Sequence, residues 1–143
     1  MSLSIGGLAH AAGVGVQTIR FYEREGLIEA PPRKASGYRI YPEDATVRIR
    51  FIRRAQELGF TLREIRELIA LQTNASADCD DVRAVAVAKV AEVERKIADL
   101  TSMKAELKNL IGSCDCAGSA RQCGIMECLS DPGAPQCSPA PLA

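Results

Sequence analysis

Six cysteines are the residues of this 143-residue chain best equipped for chemistry. Five of them, Cys114, Cys116, Cys123, Cys128 and Cys137, crowd into the C-terminal end, and Cys79 stands alone upstream. The N-terminus couples no basic flank to an apolar run, and nowhere is there an apolar stretch of about eighteen residues, so neither a signal peptide nor a membrane span is expected. A cytoplasmic location is the expectation that follows. In a reducing compartment crowded cysteines serve as metal ligands or redox thiols more often than as a disulfide framework. No Cys-x-x-Cys pair, phosphate loop or Ser/His/Asp arrangement occurs, and the single histidine, His10, lies far upstream, so enzymatic catalysis is not expected. A passive metal buffer would explain the cysteines but not the organisation of the rest of the chain.

The elements that must position these cysteines are short at first. The chain is long enough for one small core plus an extended element. Ser4 can cap a helix with Ile5, Leu8, Ala9 and Ala12 on one face, ended by Gly13, and a second helix runs from about Val16 until Gly26 stops it. Two short helices joined by a glycine turn fit a helix-turn-helix, whose second helix can lie in a DNA major groove. Residues Pro31 to Pro42 cannot be helical, and Ser36-Gly37 is a turn between extended pieces, which makes a basic wing. Pro42 fits the start of a third helix in which Val47, Phe51, Ile52, Ala55 and Leu58 share a face, ended by Gly59. Thr61 and Glu64 form a capping box, with Phe60 and Ile65 at the staple positions, for a fourth helix expected to bury Leu62, Ile65, Leu68 and Ile69.

The charge is divided along the chain. Residues 1–72 hold 11 basic against 8 acidic groups, and residues 73–143 hold 7 against 10. Nine basic groups lie between Arg20 and Arg54, enough for a cationic face toward phosphates.

Beyond a polar linker at residues 73–77, Asp78 can cap a helix from Cys79 to about Ile111 that contains no glycine or proline. Its apolar residues form heptads. Val90, Ile97 and Ile111 occupy one position and Ala86, Val93, Leu100 and Leu107 the other, interrupted by Lys104. A small domain cannot cover such a stripe, so a coiled-coil homodimer is expected. The last fifteen residues carry Pro132, Pro135, Pro139 and Pro141 without periodicity and are expected to be disordered.

The segment Thr18-Ile19-Arg20-Phe21-Tyr22-Glu23, the wing Gly37-Tyr38-Arg39-Ile40-Tyr41, and Leu58-Gly59-Phe60-Thr61-Leu62-Arg63-Glu64-Ile65 together resemble the winged helix-turn-helix of the MerR family of regulators. The resemblance covers residues 4 to about 72. It implies that Thr18, Arg20 and Tyr22 on the second helix, with Tyr38 and Arg39 in the wing, meet double-stranded operator DNA. Ile19 and Tyr22 also serve as core, whereas Arg20 and Arg39 have no comparable core role. Two residues depart from the family pattern. Gly7 replaces the usual acid that would complete a capping box with Ser4, and Gly15 replaces a side-chain cap, each softening a helix start by about 0.5 to 1 kcal/mol.

Cys79 and Cys114 are 35 residues apart, which along a helix is roughly 50 Å. Thiolates bind zinc at about 2.3 Å, so one chain cannot bring both to one ion. Antiparallel pairing of two long helices can: Cys79 of one subunit would meet Cys114 and Cys123 of the other, giving equivalent sites related by two-fold symmetry. Cys79 lies in the first turn, where the helix dipole favours an anionic sulfur. The resemblance supports the same ligand set, because mercury-responsive members carry cysteines with these separations, and copper-responsive members lack the first. Cys116 is a possible fourth ligand, which zinc or cadmium would prefer. Mercury(II) is the favoured effector, and lead(II), cadmium or zinc the alternative, since lead-responsive members share the separations and the Cys123-Gly124-Ile125 sequence. A redox iron–sulfur regulator is the nearest rival, although the spacing Cys-x-Cys-x6-Cys-x4-Cys departs from a cluster pattern.

The expected architecture is mainly α. A winged helix-turn-helix at 1–72 leads to a linker and antiparallel coiled-coil dimerisation helix at 73–112, a metal-binding loop at 113–129 and a tail at 130–143. The expected function is a heavy-metal-responsive regulator that binds a promoter as a homodimer and activates a metal-resistance operon through RNA polymerase by distorting the DNA. The stripe yields the first prediction: Leu100→Asp separates the dimer and abolishes metal and operator binding together, as read by ultracentrifugation and operator titration. A wild-type protein that sediments as a monomer at micromolar concentration would contradict it.

Overall fold

The computed structural model describes residues 2–114, 118–131 and 133. The chain is mainly helical and divides into two compact units, Met1–Lys89 and Val90–Ala143.

In the first unit α1 (Ile5–Ala12) starts where the Ser4 hydroxyl accepts the Gly7 N–H at 3.1 Å. Glycine at position 7 has no side chain to return the bond. α2 (Val16–Arg24) starts from Gly15 without a side-chain cap. α3 (Asp44–Glu57) begins after Pro42 rather than on it. α4 (Leu62–Thr73) opens on the full capping box: Glu64 N–H donates to Thr61 Oγ1 at 3.2 Å, and Thr61 N–H to Glu64 Oε1 at 2.9 Å. α5 (Cys79–Gly112) opens on a similar reciprocal pair between Asp78 and Asp81.

Leu8, Ile19, Ile49, Ile52 and Ile65 are fully buried together with Tyr41. Each such aliphatic side chain contributes about 1.5 to 3 kcal/mol through removal from water. Two expected faces need correction. In α3 the inward side is Thr46, Ile49, Ile52 and Ala55, while Val47, Phe51 and Leu58 are exposed on another side. The three-residue steps from Thr46 to Ala55 make the buried stripe, and the second apolar set misled a reading by composition. In α4 only Ile65 is buried, with Leu62, Leu68 and Ile69 half-buried.

α1 is held against α3 by two arginines at its negative end as well as by the core. Arg50 Nη2 donates to Ala11 O and Arg53 Nη1 to Gly13 O, both at 2.9 Å. β1 (Leu3–Ser4) and β2 (Ile40–Tyr41) pair antiparallel, with Leu3 opposite Tyr41. Strands of two residues carry no readable period, so this pairing left no mark in the sequence.

In the second unit the stripe residues Val90, Val93, Ile97, Leu100, Leu107 and Ile111 of α5 are all exposed, Leu100 at 61%. A short 3-10 turn (Ala120–Gln122) and α6 (Gly124–Ser130) follow. Most of the expected tail, residues 132 and 134–143, lies outside the described residues. Among the described residues no helix is long and apolar enough to cross a membrane.

The capping box generates a pH prediction. Glu64 is held at about 2 rather than the usual 4.5, first by its bond from Lys89 and then by the Thr61 N–H. Because the folded value is depressed, the contribution is complete above about 4.5 and is lost as pH falls toward 2. Urea midpoints should therefore fall more steeply over that window in the wild type than in Glu64→Gln. Thr61→Ala should cost about 1 kcal/mol. Parallel pH profiles for wild type and Glu64→Gln would contradict the assignment.

Candidate metal centre and nucleic-acid interface

α2 and the wing that follows it carry the residues expected to meet DNA. Arg20 is exposed on α2 and Thr18 is half-buried. The wing is built by a bridge between Arg33 and Arg39 and by a tight turn in which Gly37 takes φ 86°, a left-handed conformation that glycine adopts without strain. Lys34 N–H donates to Tyr38 O at 2.8 Å, and Arg33 Nη1 to Gly37 O at 3.1 Å. Tyr38, at 74% exposure, is presented to solvent.

Two of the expected DNA residues are otherwise engaged. Tyr22 is only 3% exposed, and its hydroxyl donates to Gln56 Oε1 at 2.8 Å, so it braces α2 on α3 and does not project outward. Arg39, read from sequence as without a core role, donates through Nη1 to Glu23 Oε2 at 3.3 Å and is 35% exposed. Its Nε is buried with no hydrogen-bond partner. Glu23 also accepts from the Tyr41 hydroxyl. Burial, and then that acceptor, push Tyr41 up to about 12, so it remains a donor. Glu23 thus ties Tyr41 of β2, and Arg39 just before that strand, to α2. Sequence reasoning named Glu23 only as part of a motif, because nothing local announces a partner 16 or 18 residues away.

The metal-ligand candidates fall into two places. Cys79 is an exposed thiol in the first turn of α5. Cys114 and Cys123 are half-buried thiols in the second unit, their sulfurs 3.3 Å apart. Cys114 extends the end of α5, its N–H donating to Ile111 O at 3.2 Å. Cys123 follows the 3-10 turn, its N–H donating to Ala120 O at 3.3 Å. Gly124 lets them meet: a Cβ there would stand 2.4 Å from Ser113 O, so any side chain would push α6 away from the end of α5. Gly124 stands in the Cys123-Gly124-Ile125 sequence, but nothing local to it announces this close approach to Ser113.

Two thiolates on one ion at about 2.3 Å and a tetrahedral angle sit about 3.8 Å apart, so a small outward shift of either sulfur would admit an ion. Among the described residues no group of three metal-binding side chains assembles. Cys128 is buried on α6, its sulfur 3.8 Å from Ser113 Oγ. Cys116, the expected fourth ligand, and Cys137 lie outside the described residues. His10 is exposed on α1.

Comparison with known proteins follows the same division. The pattern for MerR HTH family regulatory proteins matches residues 3–72, and the pattern for the DNA-binding region of MerR matches residues 46–110. The chain is 40% identical to a mercuric resistance operon regulatory protein of Bacillus cereus over 129 residues, which is 90% of this chain and 98% of that one. It is 41% identical to the HTH-type transcriptional regulator HmrR of Sinorhizobium medicae, over 92% of this chain and 88% of that one. Among solved structures it resembles the transcription regulator PbrR691 of Ralstonia metallidurans in complex with lead(II). That match has a TM-score of 0.80 and 40% identity, covering 89% of this chain and 98% of the other. With its helix-turn-helix, wing, capped fourth helix and long α5 all in place, the chain belongs to the MerR family of helix-turn-helix regulatory proteins.

Proposed function

We propose that this chain is a heavy-metal-responsive transcription regulator: a cytoplasmic homodimer that occupies operator DNA and activates a metal-resistance operon when mercury(II) binds. The observation that carries the proposal is the pair of sulfurs of Cys114 and Cys123, 3.3 Å apart at the end of a 34-residue helix whose other end bears Cys79. A helix of that length spans roughly 50 Å, so a third thiolate comes from the second subunit. The exposed stripe from Val90 to Ile111 supplies the means of pairing two helices antiparallel. Cys79 of one subunit then joins Cys114 and Cys123 of the other.

Three thiolates suit a soft, thiophilic divalent ion. The mercuric resistance regulators among the relatives support mercury. The lead(II) complex of a 40% identical protein supports lead as the second reading, with cadmium or zinc favoured if Cys116 joins. On the DNA side the proposed contacts are Thr18 and the exposed Arg20 of α2 with Tyr38 and Arg39 of the wing, and the buried Tyr22, bonded to Gln56, supports α2 from the core. Phosphate contacts from such residues fix register, and specificity draws on the deformability of the promoter. Ion binding stabilises one of two dimer conformations, and the difference in binding free energy becomes the distortion that lets RNA polymerase engage.

The ligand arrangement predicts complementation. A heterodimer of a Cys79→Ser chain with a Cys114→Ser/Cys123→Ser chain should bind one mercury(II) ion tightly, and each parental homodimer none. Cys79→Ser alone should abolish induction while leaving operator affinity within about threefold of wild type, since its thiol contributes to no DNA contact. Heterodimers that bind no better than the parents, or full induction of the Cys79→Ser homodimer, would contradict the shared site.

A further inference from the structure

Lys89 is the one charged side chain among the described residues that is buried, at 6% exposure. An ammonium is left in such a place only where partners replace its water. Lys89 Nζ donates to Glu64 Oε1 at 2.8 Å and to Gly59 O at 3.1 Å, and stands 5.2 Å from the centre of the Phe60 ring. Those three residues form the corner where α3 ends and α4 begins. The Glu64 oxygen it reaches is the one that accepts the Thr61 N–H, so a single atom carries both the α4 cap and the grip on α5. The strong acidity of Glu64 keeps that oxygen charged throughout the physiological range.

The grip continues toward DNA. Two residues beyond Glu64 on α4, Arg66 donates through Nε to Glu25 O at 3.0 Å and through Nη2 to Glu25 Oε2 at 2.8 Å. Glu25 is the C-cap of α2, the helix expected in the major groove. In the other direction Lys89 shares α5 with Cys79, ten residues earlier, about 15 Å along a rigid helix. Cys79, Lys89, Glu64, Arg66 and Glu25 therefore form one continuous series of hydrogen-bonded or helix-linked groups within the first unit.

We propose that Lys89 is a positioning residue for the metal response: it transmits the displacement of Cys79 on ion binding to α4, and through Arg66 to the end of α2. The proposal rests on the metal-responsive reading above. A merely structural lysine would change stability or affinities, whereas a coupling lysine changes how the two binding events influence each other.

The test uses the full-length reduced dimer with mercury(II) chloride as the probe. Transcription from the operator is measured with and without metal, and metal affinity is measured on the free and on the operator-bound dimer. For Lys89→Met, mercury stoichiometry and metal-free operator affinity should stay within about threefold of wild type, while induction falls to within about twofold of the uninduced level. By reciprocity, the wild type should bind metal with different affinity as the free and as the operator-bound dimer, and that difference should vanish in the variant. Glu64→Gln, which keeps an acceptor for the Thr61 N–H and removes the charge facing Lys89, should give a partial loss of the same kind and serves if Lys89→Met does not fold. Variants that induce like a responsive wild type, or that lose induction only in proportion to a weakened metal or operator affinity, would overturn the coupling role alone. A wild-type dimer that does not respond to metal would overturn the regulator reading and the coupling role with it.

Discussion

Soft-metal chemistry sets a distance that a single chain of this kind cannot meet. Thiolates sharing an ion lie within a few ångström of one another, yet α5 carries Cys79 in its first turn and leads directly to Cys114 at its far end. The proposed dimer, its antiparallel sense and the division of each site between subunits all follow from that constraint. In the proposed dimer the exposed row from Val90 to Ile111 would complement the cysteine positions: the helix that separates the proposed ligands would also supply the surface that reunites them.

Gly124 permits the close approach of α6 to the end of α5, where two sulfurs lie side by side, so the proposed ion would have less chain to order. Glu23 binds the wing to α2, and Arg50 and Arg53 hold α1 to α3, so these elements form one connected body. Lys89 then joins that body to α5 through an atom already committed to a helix cap.

Much of this was legible in the sequence where the signal is local. The Thr61–Glu64 box, the Asp78 start of α5, the glycine in the wing turn and the heptads each depend on residues a few positions apart. The cysteine spacing grouped Cys114 with Cys123, whose sulfurs lie 3.3 Å apart. What was not legible depends on distant partners. The face of α3 was misassigned because Val47, Phe51 and Leu58 are as apolar as the residues that are buried. Arg39 was read as having no core role because Glu23 lies on another element, and a buried Lys89 on a helix rich in charge resembles any solvated lysine until its neighbours 25 and 30 residues away are known.

The central claim, a thiolate site for a soft divalent ion that governs transcription, is tested most directly by titrating the reduced wild-type dimer with mercury, lead, cadmium, zinc and copper(I) in competition with glutathione, while operator transcription is recorded. The account predicts that one divalent soft ion per chain, mercury before the others, saturates binding and raises transcription at the same concentrations. Activation by copper(I) alone, or tight binding of divalent ions with no change in transcription, would contradict it.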